Sequence, residues 1–273
     1  MTLTDAEAFL RDFHRRHPGC TSRAFAELRD ATGQTSYTRL ARLVRDAGSR
    51  AILDLACGDG YLLAQIAANC PSGTSLTGVD MSAAELAIAR ARPDLRDCTW
   101  LEARAQTLPI PDAAVDAVVC HMALMLMAPV APVLWEIHRI LRPNGLFTAI
   151  VSGTATQGDA GAAFLAELRQ IDGWSERGPT LGDRQIRSHH GLLTALTEAG
   201  FTGITVTDFA VRRRVSIAEA WAFFMEMYTL DWFTADEIAG LHAGFVETLG
   251  AALGPDGLVL LHNGLRQMSA RRQ

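Results

Sequence analysis

From Arg50 onward, short apolar runs alternate with segments of helical periodicity. Ala51–Leu55 is an apolar run that ends in a glycine turn, and residues 61–68 then carry apolar side chains at helical spacing. Ser75–Asp80 (SLTGVD) reads as a second strand, and Ser82 with Glu85 caps the helix after it. Residues 98–101 read as a third strand and 115–120 (VDAVVC) as a buried fourth. Residues 129–141 are helical, stopped by the turn Arg142-Pro143-Asn144-Gly145, and 146–151 form a fifth strand. Strands and helices alternating at this spacing predict an α/β, doubly wound, mostly parallel seven-stranded sheet with helices on both faces. Right-handed crossovers then place a ligand crevice at the carboxyl ends of the strands.

The flanks are less regular. A capping box, Thr4 to Glu7, opens a first helix, and residues 36–47 predict a second. After Val151 the pattern loosens. Residues 162–171 and 192–199 read as helices, 203–215 as a strand, and Ser216–Glu219 and Thr234–Glu237 as two more capping boxes, with 257–263 closing the sheet. The expected division is a helical lid segment over 1–49, a cofactor-binding core over 50–215, a helical insertion lining the substrate pocket over 216–252, and a closing strand with tail over 253–273.

Composition narrows the class. The 273 residues are 49% hydrophobic and 20% charged with net charge −5, which suits a buried core and argues against a nucleic-acid surface. Arg212, Arg213 and Arg214 form the only dense basic run, read either as a solvated strand edge or as a lure for an anionic substrate. Five scattered cysteines without CxxC pairing suit reduced thiols, and no apolar run reaches the ~20 residues of a membrane span. The expectation is a cytoplasmic enzyme, monomer or homodimer, with a small-molecule substrate, no nucleic acid, no membrane and no metal. The absence of lysine among so many arginines hints at a high-GC bacterium.

The segment Asp54-Leu55-Ala56-Cys57-Gly58-Asp59-Gly60 carries most of the functional signal. Glycines between strand and helix let the backbone turn tightly and approach a ligand, and the helix start offers unpaired N–H groups. Asp80 ends the second strand, where its carboxylate can accept from ribose hydroxyls. A dinucleotide fingerprint needs a small residue where this chain has Leu63, and a carboxylate at Asp54 repels pyrophosphate while suiting an ammonium. Both departures favour S-adenosylmethionine over a nicotinamide dinucleotide.

With DLACGDG as a first motif, GVDMS as a second, LPIPDAAVDAVVCHMAL around the fourth strand and WEIHRILRPNGLF into the fifth, the chain resembles class I S-adenosylmethionine-dependent methyltransferases, in particular the ubiquinone/menaquinone branch. The resemblance covers about residues 50–152. It implies that Asp54, Ala56, Gly58 and Gly60 surround the methionine half of the cofactor, that Asp80 binds ribose, that Met81 packs on adenine, and that Tyr37 lies in a helix closing over it. Cys120 joins this set, and Ala56 replaces the first glycine of the usual pattern. Relatives often place an acid after the third strand for the adenine amino group; Arg104 stands here, between Ala103 and Ala105, and a guanidinium cannot accept a hydrogen bond. Gln106 or a backbone carbonyl is then the acceptor.

Methyl transfer needs an acceptor aligned with the S–CH3 bond and shielded from water. His121, directly after the fourth strand, is the candidate general base, with substrate orientation as the alternative role. The aromatic and methionine-rich run 220–233 offers Trp221, Phe224, Met225 and Tyr228 as pocket wall or as lid packing, with His14 and Met125 opposite. The expected activity is methylation of a small, largely apolar or aromatic metabolite, of secondary metabolism, with S-adenosylhomocysteine as the other product. The alternatives are a cyclase or other enzyme using the sulfonium without transferring the methyl, a nicotinamide-dependent oxidoreductase, and a macromolecular methyltransferase.

Overall fold

Continuous apolar strands need cover on both faces, and the computed structural model provides it; the structure describes residues 3–153 and 158–273. Five strands, β1 (Ala51–Leu55), β2 (Ser75–Asp80), β3 (Thr99–Glu102), β4 (Val115–His121) and β5 (Leu141–Ser152), pair in parallel. β6 (Phe201–Val215) and β7 (Val259–Arg272) complete a seven-stranded sheet in the order β3-β2-β1-β4-β5-β7-β6, with β7 antiparallel to both neighbours. The order reverses between β1 and β4, which opens the crevice at their carboxyl ends.

Alternation sets the layers. Ile52, Ala117 and Val119 enter one core with α3 (Ser36–Asp46) and α4 (Tyr61–Asn69). Their neighbours Leu53, Val118 and Cys120 enter the other, with α6 (Val130–Ile140) and α8 (His189–Glu198). α5 (Ala83–Ala91) follows β2, and α1 (Asp5–Arg16) and α2 (Cys20–Phe25) precede the sheet. α7 (Asp159–Leu168) follows β5, while α9 (Ile217–Met225) and α10 (Ala235–Ala252) lie between β6 and β7.

The boxes at Thr4, Ser216 and Thr234 all cap as the sequence suggests, and a further one pairs Thr35 with Thr38. Two boundaries differ for physical reasons. The turn at Arg142–Gly145 sits inside β5, where Asn144 is left-handed (φ 62°) and the register against β4 shifts. β7 continues well past residue 263, its polar members masking the alternation: Arg266 pairs with Asp208 at 2.7 Å and Gln267 receives Arg39 at 3.2 Å. α2 was unassigned from sequence, and the loosened stretch after Val151 includes residues 154–157, which lie outside the described residues. The arginine run is on β6, the sheet edge, where Arg213 pairs with Glu27 and Arg214 with Asp256, both at 2.6 Å. No helix among the described residues is long and apolar enough to cross a membrane.

Candidate functional site

The turn after β1 is built on left-handed backbone. Gly58 (φ 52°) and Gly60 (φ 77°) adopt it freely, and Ala56 (φ 57°) adopts it at a steric cost. The Gly58 N–H donates to Asp80 Oδ2 at 2.9 Å and the Ser82 N–H to Asp80 Oδ1 at 2.8 Å, so Asp80 ties the loop to the end of β2. Burial raises the Asp80 carboxyl, partly offset by those two donors. Asp54 is 1% exposed, and neither of its oxygens has a hydrogen-bond partner among the described residues. Burial, then the neighbouring Asp80 and Asp59, push it well above the usual carboxylate range. An orphaned buried acid at the strand-order reversal calls for a cationic ligand.

A cleft enclosing about 1040 Å³ up to its open mouth lies over this turn. Asp54, Ala56, Gly58, Asp80, Met81, Arg104, Ala105 and Gln106 line it, with Tyr37, His121, His14 and Tyr228. Sequence reasoning missed a second ring of groups, contributed by the N-terminal helices and α5. Glu7, on α1, takes Arg104 at 2.6 Å and Gln106 Nε2 at 3.2 Å, so Arg104 is committed to an ion pair. Glu85 accepts from the Gly19 N–H at 2.9 Å, and Ser22 donates to Asp59 at 2.7 Å. Glu7 and Glu85 were legible only as capping residues, since their second partners are 97 and 66 positions away.

His14 joins this ring with both ring nitrogens. Nδ1 lies 2.7 Å from Glu85 Oε1 and Nε2 2.9 Å from the Tyr228 hydroxyl. Burial opposes charge on His14, but the Glu85 carboxylate against Nδ1 favours the protonated imidazole and raises it above its ordinary range. His14, Cys20 and Glu85 also lie close enough to share an ion, a grouping that sequence spacing did not reveal. Glu85 is already engaged by His14 and Gly19, so hydrogen bonds account for the cluster.

His121 sits beside Ser36, its Nε2 at 2.8 Å from Oγ, with its ring stacked on Tyr37 at 3.9 Å between centroids. Burial drives the imidazole down to about 3, and Nδ1 has no partner among the described residues. A group so poorly basic is a weak general base, and the geometry favours orientation over proton abstraction.

Six expected residues do not line the cleft. Cys120 points to the opposite face of β4 from His121, as strand alternation requires, and Met125 packs in that same layer. Gly60 caps α4, where an added Cβ would come within 3.0 Å of Leu95 and Trp100, so its role is close packing. Phe224 stacks on Phe164 at 4.1 Å, and Trp221 packs 5.5 Å from Phe245, so these rings fill the core between α7, α9 and α10. Met225 is 41% exposed at the end of α9. Of the aromatic run, only Tyr228 reaches the cleft.

Comparison with known proteins agrees with this architecture. A family model described as a methyltransferase domain matches residues 52–145. The demethylmenaquinone methyltransferase of Thermus thermophilus is 30% identical over 135 residues, 49% of this chain and 61% of that protein. The chain thus spans 61%, 56% and 42% of the length of three curated relatives it matches. Among solved structures, Haemonchus contortus phosphoethanolamine N-methyltransferase 2, in complex with phosphomonomethylethanolamine and S-adenosylhomocysteine, superposes with TM-score 0.58 at 17% identity, covering 100% of this chain and 61% of that one. The 4+2 cyclase SpnF gives TM-score 0.58 at 19% identity, covering 100% and 97%. At such identities the structural likeness speaks for the fold alone.

Proposed function

Residues 52–145 carry a methyltransferase domain, and from that premise we propose that the chain binds S-adenosylmethionine in the cleft and methylates a small, largely apolar or aromatic acceptor of quinol type. The observation that carries the reading is Asp54: a buried carboxylate with both oxygens unpartnered beneath a left-handed glycine turn. The residues present fit that cofactor. Asp54 would take its ammonium and Asp80 its ribose hydroxyls, with Met81 against adenine. The Gln106 amide nitrogen is spent on Glu7, which leaves its side-chain carbonyl as acceptor for the adenine amino group. When bound, the cofactor supplies an electrophilic methyl group on a sulfonium.

The remaining work falls to the chain. Leu10, Met122, Leu126 and Met127 wall the cleft and exclude water. His121 stays neutral and positions rather than deprotonates. Residues 1–49 serve as a lid: Glu7 reaches Arg104, Gly19 reaches Glu85 and Ser22 reaches Asp59. Residues 216–252 brace that lid, Arg16 meeting Asp231 at 2.6 Å and Arg23 meeting Glu226 at 2.8 Å.

The test is incubation with methyl-labelled S-adenosylmethionine and a panel of naphthoquinols: label in the acceptor supports transfer. Turnover of a substrate with all label retained in the cofactor selects the second reading, a non-transferring enzyme. The low basicity of His121 favours that alternative, and the cyclase shares the fold.

A further inference from the structure

Hydrogen-bond accounting around Tyr228 identifies a group the methyl-transfer reading leaves unused. Tyr228 opens the helical turn Tyr228–Trp232 and lines the cleft, where its hydroxyl has one partner among the described residues, His14 Nε2 at 2.9 Å. Glu85, its side chain 2% exposed, is held at 2.7 Å by His14 Nδ1. A carboxylate only accepts, so Nδ1 carries a proton, and the 2.7 Å contact with a buried carboxylate favours the imidazolium form of His14. In that form Nε2 also carries a proton and donates to the Tyr228 oxygen. The Tyr228 O–H therefore has no acceptor among the described residues. The hydroxyl of half-buried Tyr228 faces a cleft whose wall includes Leu10, Met122, Leu126 and Met127, where a ligand oxygen can take up its hydrogen.

We propose that Tyr228, oriented by the His14–Glu85 pair, is the acceptor-recognition group of this cleft and donates a hydrogen bond to the oxygen of a phenolic or enolic substrate. The proposal rests on the methyl-transfer reading. It gives each residue a distinct part: Tyr228 touches the substrate, His14 positions Tyr228 and Glu85 fixes His14. The donor held by His14 favours the phenolate or enolate form of the acceptor, whose proton passes to water, so the ionised nucleophile is populated without a strong base at His121. An apolar molecule lacking the oxygen would leave the Tyr228 hydroxyl unpaired and bind less well.

The experiment measures affinity of the full chain for 1-naphthol and for naphthalene, with and without S-adenosylhomocysteine, alongside the affinity for S-adenosylhomocysteine itself. Wild type should bind 1-naphthol at least ten times more tightly than naphthalene. Tyr228→Phe should erase that ratio while leaving naphthalene and S-adenosylhomocysteine affinities unchanged. His14→Gln, which keeps a nitrogen donor toward the Tyr228 oxygen, should preserve most of the preference, and His14→Leu should lose it. A preference that survives Tyr228→Phe, absence of any preference in wild type, or equal loss in His14→Gln and His14→Leu overturns the proposal. A fall in S-adenosylhomocysteine affinity on Tyr228→Phe assigns the hydroxyl to the cofactor and overturns it as well. If wild type fails to bind S-adenosylhomocysteine at all, the methyl-transfer reading falls too; if it binds and only the ratio fails, this inference falls alone.

Discussion

Asp54 and His121 show how burial decides what a titratable side chain can do. Neither Asp54 oxygen has a partner among the described residues, so under the proposed reading a ligand supplies one. Asp54→Asn is expected to weaken S-adenosylhomocysteine binding by about 2–5 kcal/mol, the cost of removing one partner from a buried charge pair, as measured by calorimetry. An unchanged affinity would show that the cationic group of the cofactor lies elsewhere. His121 is neutral in the folded state down to about pH 3, against about 6.5 in the unfolded chain. A depressed imidazole favours the unfolded chain as protons are added. Its contribution is therefore intact above pH 6.5 and is lost as pH falls below it, at about 1.4 kcal/mol per pH unit. Urea melts at pH 7 and pH 5 should show a shallower loss for His121→Asn than for wild type. The same depression predicts that turnover has no acid limb near pH 6.5 arising from His121.

At the scale of elements, packing explains why neighbours in sequence take different jobs. Gly78 lies mid-strand in β2 because a Cβ there would overlap the Trp100 ring and come within 2.9 Å of Cys57 Sγ. Gly78→Ala should cost about 1–3 kcal/mol by overpacking, read as a lower melting temperature. The run 220–233, which the sequence offers as pocket wall, lid packing or both, is divided by helix geometry. Phe224 goes to the core against Phe164 and Phe245, Met225 to solvent, and Tyr228 to the cleft. Phe224→Ala should therefore destabilise the fold by about 3–5 kcal/mol while the protein that remains folded keeps its S-adenosylhomocysteine affinity. A selective loss of ligand binding with unchanged stability would return Phe224 to the pocket.

Over the whole molecule, the cleft is closed by segments from both ends of the chain. α1 and α2 meet the turn after α9 through Arg16–Asp231, Arg23–Glu226 and His14–Tyr228, which joins the two segments beside the cleft. A ligand that binds in that cleft stabilises the folded state by mass action. S-adenosylhomocysteine at a hundred times its Kd should add about 2.7 kcal/mol and raise the melting temperature by several degrees. In a hydrogen-exchange experiment the slowing should include α1, which carries Glu7 and His14, and not only the turn at Gly58.

What the sequence determined by itself is local. The apolar runs of β1, β2, β4 and the first half of the late hairpin, the capping residues, and the Asp54–Gly60 turn followed by Asp80 are all written in short spacings, where hydrophobic periodicity and backbone freedom act over a few residues. Those features sufficed for the doubly wound sheet and the position of its crevice. The tertiary structure decided whatever depends on two distant segments meeting. Arg104 was legible as a residue unable to accept from adenine, but not as the partner of Glu7. His14 and Tyr228, 214 positions apart, were each read as substrate contacts, and only the fold joins them through one hydrogen bond and ties them to Glu85. His121 could be placed at the sheet edge from spacing, yet its chemistry depends on how much water the surrounding chain excludes. Periodicity reports which way a side chain faces along its own element; burial and pairing are set by what the rest of the molecule packs against it.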